Sequence, residues 1–257
     1  MPYESAAFRL DSVDRVATLW FDFRNSRENV LTLATLNEFS LLIDRVAELP
    51  ADVLVLRSSR PGVFLDDFDI RELAGFRSPM EFSAFATRGQ DLTRKIAALS
   101  FPTIAFIDGR CKGVGLEIAL AASTRLISDS PSTTFSFPSI DRGLIPCWGG
   151  IHRLMSIVGR RAAEQFLRSR MPLNAQAAFK IGLADRLSPA SRASVDLMTL
   201  VDEVSAGRSL NHSRLRRRLM RSLAGLIHLK RNDESATCRP ESVSAIGEVL
   251  EIGRAHV

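Results

Sequence analysis

The residue most able to do chemistry in this sequence is Glu117, which follows a glycine-rich loop and starts an apolar helical run. The loop reads Asp-Gly-Arg-Cys-Lys-Gly-Val-Gly over residues 108–115. Its three glycines let the backbone turn tightly, and the helix start leaves unpaired N–H groups that favour negative charge. Glu117 has apolar neighbours, where a carboxylate is costly without a partner or a task. We predict an anion site beside an acidic group, with a simple helix-stabilising carboxylate as the alternative.

A second acidic segment holds Asp66, Asp67 and Asp69 after an apolar run. Three clustered carboxylates are a candidate divalent-metal loop, but the segment lacks the alternating carboxylates and the closing glutamate of a calcium loop. The three cysteines of the chain show no CxxC spacing, which argues against a zinc site and a disulfide framework. We expect no metal, and no Gly-x-Gly-x-x-Gly segment indicates a nicotinamide site.

Length and composition favour one large α/β domain with a helical appendage. The chain has 257 residues, of which 46% are hydrophobic. No apolar run reaches the ~18 residues needed to span a bilayer, and the N-terminus lacks the apolar region of a signal peptide. We therefore expect a cytoplasmic protein without a membrane span.

The net charge of +5 allows an anionic substrate, a membrane surface or nucleic acid as partner. Much of the excess lies in one amphipathic segment, Ser209–Lys230, continuing to Arg231. A basic helix of this kind is usually a solvated face that packs through its apolar side, although membrane-surface or phosphate binding stays open. We expect no nucleic-acid partner because no aromatic residues alternate with these cations.

Hydrophobic periodicity predicts strands alternating with helices. The strand, helix, strand order near the N-terminus calls for a right-handed crossover and parallel pairing. Asn174 is predicted to cap the helix that follows it. The predicted strands are two within Phe8–Phe23, then Val53–Leu56, the run after Phe101, Thr124–Ile127 and Thr134–Phe137; the helices are Leu33–Leu49, Pro79–Leu99, the run from Leu116, Ile151–Leu167, Ala175–Ile181, Val195–Val204, Ser209–Lys230 and Pro240–Gly253.

Taken together, a series of short motifs resembles the crotonase family, the enoyl-CoA hydratase/isomerase superfamily. The likeness runs from about Val16 to Pro189, with the motifs in the family's order and spacing. They are Asn29-Val30-Leu31, Phe64–Ile70, Pro102–Ala105 leading into Asp108-Gly109, Gly113–Glu117, Gly143–Pro146, Trp148–Gly150 with Arg153-Leu154, Val158–Arg160, Ala175 with Ala177 and Ala178, and Gly182–Asp185.

The resemblance implies an α/β fold, a crotonase-like spiral of β-β-α units with a C-terminal helical region. It divides the chain into a core over residues 1–190 that binds acyl-CoA and a helical region over residues 191–257. Family members often trimerise through such helices, so a homo-oligomer, either a trimer or a hexamer, is expected.

The resemblance also assigns the chemistry. Acyl-CoA thioesters would bind with coenzyme A as part of the substrate and no permanent cofactor. Backbone N–H groups of Asp66 and Val114 would form the oxyanion hole, and Glu117 would be the general acid/base. Further substrate contacts are expected at Phe64, Asp67, Asp69, Ile70, Lys112, Gly113 and Pro138, and phosphate contacts at Arg24, Arg27 and Lys112.

Two positions depart clearly from the family pattern, and Cys147, which replaces a usual glycine before Trp148, is a milder departure. Asp67 stands where the family has glycine, so we expect a strained backbone and a carboxylate that opposes the oxyanion. Ser139 stands at the position of the second catalytic glutamate. Three functions are therefore open: an enoyl-CoA hydratase-like enzyme of fatty-acid β-oxidation, a non-catalytic acyl-CoA binder or partner protein, and a thioester hydrolase or decarboxylase of the same superfamily.

The C-terminal segment Pro240–Gly253 looks like the helix that follows the hydratase domain in the multifunctional α subunit of bacterial fatty-acid oxidation complexes. In that subunit a dehydrogenase follows, whereas this sequence ends at Val257. The resemblance is thus to a detached first domain of such a fusion.

Overall fold

The structure, a computed structural model, describes residues 2–24, 26 and 28–207. Within them the chain forms two β-sheets and a set of surrounding helices. The predicted helices Ser209–Lys230 and Pro240–Gly253 lie outside the described residues.

Six of the described strands follow the predicted apolar runs, whereas Tyr3–Glu4, Gly62–Leu65, Gly109–Lys112, Leu173–Asn174 and Arg186–Pro189 were not predicted as strands. The described strands are β1 (Tyr3–Glu4), β2 (Phe8–Val13), β3 (Val16–Phe21), β4 (Val53–Ser58), β5 (Gly62–Leu65), β6 (Thr103–Ile107), β7 (Gly109–Lys112), β8 (Thr124–Asp129), β9 (Thr134–Ser136), β10 (Leu173–Asn174) and β11 (Arg186–Pro189). The larger sheet has the order β1-β2-β3-β4-β6-β8-β11, and the smaller one β10-β9-β7-β5. β3, β4, β6, β8 and β11 pair in parallel, and the crossover argument predicts this for β3 and β4.

Four of the described α-helices begin at a side-chain cap. Thr32 and Thr35 form a capping box at the first helix, and Asn174 caps a later one as predicted, because its side chain accepts from the N–H of Ala177. The described α-helices are α1 (Leu33–Ala47), α2 (Ile70–Ala74), α3 (Pro79–Ala98), α4 (Val114–Ala121), α5 (Gly150–Val158), α6 (Arg160–Ser169), α7 (Ala175–Lys180) and α8 (Ala193–Ser205). Short 3-10 helices occupy Pro138–Arg142 and Ala190–Arg192.

Successive β-β-α units build the described fold. Each unit places one strand in the larger sheet and the next in the smaller sheet before the chain turns into helix: β4, β5 and α2–α3, then β6, β7 and α4, then β8, β9 and α5–α7. This order confirms the predicted crotonase-like spiral.

Both faces of the larger sheet are buried in its central strands. Val53, Ile104 and Leu126 face α8, where they meet Leu197 and Leu200. The opposite face belongs to the main core, which includes α1, α3 and α4. Burial on both faces explains the nearly continuous apolar runs of these parallel strands. The predicted division of the chain at residue 190 stays a prediction.

Two local predictions were wrong. The segment predicted as a loop over residues 108–115 contains β7, because Gly109, at φ +136°, lets this strand run beside β5. A Cβ on Gly109 would lie 2.0 Å from the carbonyl carbon of Gly62. The helix predicted over 151–167 is two helices, α5 and α6, which meet at Gly159 with φ +84°.

Candidate active site

Glu117 lies in the first turn of α4, a helix whose residues are all buried. β7 leads into this helix through Gly113, which adopts φ +48°. An apolar helix of this kind belongs in a core, so it carries Glu117 inward. The carboxyl group is 1% exposed and lines a small internal cavity.

Backbone donors hold the Glu117 carboxyl group. Its Oε2 accepts from the N–H groups of Trp148, at 2.8 Å, and Gly150, at 2.7 Å. Among the described residues Oε1 has no hydrogen-bond partner, which leaves that oxygen for the cavity. Burial raises the pKa of Glu117 to about 8, with the charge of Asp67 acting in the same direction and the two N–H groups opposing it. Near neutral pH this carboxyl group is therefore mostly protonated.

Helix α3 fixes the segment that supplies these donors. The fully buried Trp148 packs so closely on Gly89 that a Cβ there would lie 2.0 Å from the indole ring. Thr93 Oγ1 donates to the Trp148 carbonyl at 2.8 Å, and Gln90 Nε2 donates to the Cys147 carbonyl at 2.8 Å. The donors to Glu117 are thus positioned by packing and hydrogen bonds from a distant part of the chain.

A second pair of N–H groups converges near Glu117. The N–H groups of Phe68 and Val114 both donate to Asp67 Oδ1, at 2.9 and 3.2 Å. The N–H of Asp66 instead donates to the Asn29 carbonyl at 2.8 Å. The prediction that Asp66 supplies an oxyanion donor is therefore wrong, because that N–H is already used in backbone pairing. We call the place where the N–H groups of Phe68 and Val114 converge the anion hole.

The Asp66 side chain points away from the anion hole towards β7. It is buried, with Oδ2 3.3 Å from Arg110 Nη2 and Oδ1 3.5 Å from Lys112 Nζ. These two cations account for its burial, since a buried carboxylate requires a partner.

The Asp67 carboxylate fills the anion hole and also contacts Ser139. The hydroxyl of Ser139 donates to Asp67 Oδ2. Gly113 leaves room for this side chain, since a Cβ at 113 would lie 2.0 Å from Asp67 Cγ. Asp67 is not among the described non-glycine residues with positive φ, so the expected left-handed strain is absent at this residue. The two departures from the family pattern therefore lie in direct contact.

Two cavities meet at this point. The inner one, of about 40 Å³, has mostly apolar walls around Glu117. The outer one, a cleft of about 790 Å³, runs along residues 66–71 and past Lys112 at the end of β7. Asp67, Phe68 and Ser139 line both. These three residues therefore lie between the cleft and the cavity that Glu117 lines.

Most of the other residues predicted to contact substrate lie around these spaces. Asp69, Ile70, Lys112 and Pro138 line the cleft, and Gly113 lines the inner cavity. Asp69 also caps α2 and pairs with Arg71 at 2.7 Å, which lowers the pKa of its carboxyl group.

Two further predicted contacts, Phe64 and Arg24, do not reach the site. Phe64 is fully buried against Phe21, at 5.2 Å between ring centroids, and lines neither cavity. Its predicted contact with substrate is wrong because a fully buried side chain presents no surface to a ligand. Arg24 is paired with Asp22 and Glu4 and does not line the cleft, and Arg27 lies outside the described residues.

Two absences hold for the described ranges. Across residues 2–24, 26 and 28–207, no group of three or more His, Cys, Asp or Glu side chains is placed to hold a metal ion. The same ranges contain no helix with the length and hydropathy of a membrane span.

Sequence reasoning missed the donors Phe68, Trp148 and Gly150. Backbone N–H groups carry no signature in the side chains of a single sequence. One indirect signal existed: Asn29-Val30-Leu31 pairs with residues 66–69, and such pairing uses the N–H groups of Asp66 and Asp69. The N–H of Phe68, between them, is left to face the site.

Comparison with known proteins identifies a family for the chain. The family model described as enoyl-CoA hydratase/isomerase matches residues 15–233. The fatty acid oxidation complex subunit alpha of Aliivibrio fischeri is 33% identical over 178 residues, which cover 68% of this chain and 26% of the relative. The chain thus corresponds to about a quarter of that relative's length.

Solved structures share the fold. An enoyl-CoA hydratase from Geobacillus kaustophilus superposes with a TM-score of 0.75 at 20% identity, covering 98% of this chain and 90% of the other. An enoyl-CoA hydratase/carnithine racemase from Magnetospirillum magneticum gives a TM-score of 0.75 at 20% identity, covering 87% and 82%. From the family match and the shared fold, the chain belongs to the enoyl-CoA hydratase/isomerase family of the crotonase superfamily.

Proposed function

We propose that the chain binds an acyl-CoA thioester and performs slow, hydratase-type acid/base chemistry on its acyl group, with Glu117 as the catalytic carboxyl group. The observation that carries this proposal is the placement of Glu117. Its buried carboxyl group lines the same cavity as Phe68 and Val114, whose N–H groups point at one position. Donors aimed at a developing oxyanion and a carboxyl group that holds a proton near neutral pH are what enolate chemistry requires.

The outer cleft suits the coenzyme part of the ligand. Its volume of about 790 Å³ falls in the range of ligand sites. Arg71, Lys112 and Arg142 lie in its lining and could neutralise phosphate groups. The coenzyme would then reach the reaction centre along the segment Asp66–Ile70.

The inner cavity suits a short acyl group. It measures about 40 Å³ and is walled by Phe68, Phe82, Phe85 and Phe137. Phe68 and Phe85 stack edge to face at 4.5 Å between ring centroids, which fills the space that a longer chain would need. We therefore propose a small 2-enoyl thioester as substrate.

In the proposed reaction a single carboxyl group performs both proton transfers. Water adds its oxygen to Cβ of the enoyl thioester, and negative charge develops on the thioester oxygen, which must displace the Asp67 carboxylate from the anion hole. Glu117 gives its proton to Cα and takes one from the attacking water, so it ends in its starting state. Ser139 has no carboxylate to share this work, which is why we propose slow turnover.

The test is hydration of crotonyl-CoA, followed by the loss of the conjugated thioester absorbance. We expect slow turnover by the unchanged protein and a loss of about 10²-fold or more in Glu117→Gln. Calorimetric titration with the same thioester checks binding in both proteins. Turnover that does not depend on Glu117, or an absence of thioester binding at near-millimolar ligand, would overturn the proposal.

A second candidate function is acyl-CoA binding without turnover. The contact between Asp67 and Ser139 favours it, because these residues fill the anion hole and replace the second glutamate. Thioester binding with no hydration at high protein concentration would select this function. No specific contact of the described residues favours the hydrolase or decarboxylase alternative. The Asp66 carboxylate, which could assist Glu117 in directing water at the thioester, is paired with Arg110 and Lys112.

The cellular setting is also a proposal. Family membership and the likeness to a fatty-acid oxidation subunit support a role in fatty-acid β-oxidation in the cytoplasm. The resemblance further suggests a homotrimer or hexamer, which sedimentation equilibrium on the full chain would test.

A further inference from the structure

We propose that Asp67 decides whether a bound thioester is polarised, because its carboxylate occupies the position that the thioester oxygen must take. The inference rests on the proposed function and names the residue that limits it. It makes Asp67 a specificity-determining residue: the resting site accepts the coenzyme part of a thioester but withholds both backbone donors from its carbonyl group.

The Asp67 side chain occupies the anion hole as a bound ligand would. Both N–H groups of the anion hole, from Phe68 and Val114, donate to the same oxygen, Oδ1. The second oxygen, Oδ2, accepts from Ser139. Every one of these donors would otherwise be free to face a ligand at the junction of the two cavities.

The surroundings favour this position of the side chain. Gly113 leaves a gap that the Asp67 carboxylate fills, since any Cβ there would lie within 2.0 Å of its Cγ. The backbone on either side is fixed, because Asn29 and Leu31 pair with the segment that contains Asp67. The ordered backbone therefore holds the Asp67 carboxylate in the anion hole.

Competition for the donors favours the side chain over the ligand. An ionised carboxylate makes stronger hydrogen bonds than a neutral carbonyl oxygen. The side chain also belongs to the protein, so it occupies the hole without losing translational or rotational freedom. A thioester carbonyl would have to displace it, and an enolate oxygen beside it would meet a like charge.

A direct readout of polarisation is the carbonyl stretching band of bound crotonyl-CoA carrying carbon-13 in its thioester carbonyl. Hydrogen bonds from the hole lower the frequency of this band, whether or not turnover follows. The proteins compared are the unchanged chain, Asp67→Gly, which empties the hole, and Asp67→Asn, which keeps an acceptor oxygen of similar size. Asp66→Asn is the matched control, since it removes the neighbouring carboxylate without touching the hole.

We expect the bound band of the unchanged protein and of Asp66→Asn to stay near its position in free crotonyl-CoA. In Asp67→Gly the band should move to lower frequency, and in Asp67→Asn it should move less. Hydration by Asp67→Gly should rise about tenfold or more in kcat/KM. Circular dichroism checks that each variant is folded, and calorimetry checks that the thioester is bound.

Two results would overturn the inference while leaving the proposed function standing. One is a lowered band already present in the unchanged protein with bound thioester, which would show that the ligand displaces Asp67. The other is an unshifted band in thioester-bound Asp67→Gly. If none of the proteins binds crotonyl-CoA, the proposed function fails and this inference falls with it.

Discussion

On each of the two sides of the site a pair of backbone N–H groups holds a carboxyl group, but the two carboxyl groups lie at different depths. On one side, which we call the Glu117 wall, the N–H groups of Trp148 and Gly150 hold a recessed carboxyl group. On the other, the Asp67 wall, the N–H groups of Phe68 and Val114 hold a carboxylate at the junction of the cavities. The fold sets where backbone donors converge, whereas the side chains decide whether a ligand can use them.

The largest effect should come from restoring the family pattern on the Asp67 wall. The double variant Asp67→Gly with Ser139→Glu empties the hole and supplies a second carboxylate facing Glu117. We expect a gain in crotonyl-CoA hydration of about 10²-fold or more over the unchanged protein, since a positioned acid/base group contributes that much. Initial rates at saturating thioester measure it.

The single variant Ser139→Glu is the matched control. Its new carboxylate would lie beside that of Asp67, and the repulsion between like charges should cancel the gain. If this variant hydrated crotonyl-CoA as fast as the double variant, Asp67 would not limit the site. The proposed difference between the two walls would then be wrong.

A large loss is expected from a methyl group on the Glu117 wall. In Gly150→Ala the new Cβ would lie 2.5 Å from Glu117 Cγ and 2.6 Å from its Oε2. The carboxyl group must move, and we expect hydration to fall by about 10²-fold, as misplacement of a catalytic group does.

Gly75→Ala serves as its comparison. There the closest approach of the added Cβ is 3.1 Å, to the Glu72 carbonyl oxygen, and Gly75 lines neither cavity. Equal losses in the two variants would mean that a general Gly→Ala effect, rather than the position of Glu117, is responsible.

The stability of the Glu117 wall should depend on pH. Since burial raises the pKa of Glu117 from 4.5 to about 8, the folded state keeps a proton that the unfolded state releases above pH 4.5. This contribution to stability is fully present below pH 4.5 and is lost as the pH rises to about 8. The free energy of unfolding should therefore fall by at most about 1.4 kcal/mol per pH unit.

Urea unfolding at several pH values between 4.5 and 8 checks this expectation. The free energy of unfolding of the unchanged protein should fall relative to that of Glu117→Gln, which stays neutral throughout. Parallel pH curves for the two proteins would show that Glu117 is ionised in the folded state, which the proposed chemistry does not allow.

The smallest effect should come from the rim of the cleft. Lys112 lines the cleft about one third exposed, with Nζ 3.5 Å from Asp66 Oδ1. We expect Lys112→Gln to weaken coenzyme A binding by less than about tenfold, because a partly exposed charge is screened by water and salt. Calorimetry at low and high salt measures the loss, which should shrink at high salt; a loss independent of salt would argue against a phosphate contact.

Sequence reasoning reached the parts of this molecule that side-chain pattern controls. Apolar runs predicted six of the described strands and most of the described helices, Asn174 was recognised as a helix cap, and the burial cost of an acidic residue identified Glu117. The motif order predicted the family, which comparison with known proteins confirms. These features depend on residue types at fixed spacing along the chain.

The errors concern backbone groups and their partners. Asp66 and Phe68 are two residues apart, yet only the N–H of Phe68 faces the site, because the other is taken by Asn29. Whether glycines make a loop or a strand depends on what lies opposite, as Gly62 does for Gly109. Such choices depend on contacts between segments distant in sequence, which a single sequence does not display.

The packing of Trp148 on Gly89 carries a consequence for how this protein tolerates change. Gly89 touches no ligand space and lies in the middle of α3, where glycine costs about 1 kcal/mol relative to alanine. The helix accepts that cost because a side chain there would push the indole ring aside, and with it the N–H that holds Glu117. The stability of α3 and the position of Glu117 therefore favour different residues at this one position, and the glycine present preserves the position of Glu117.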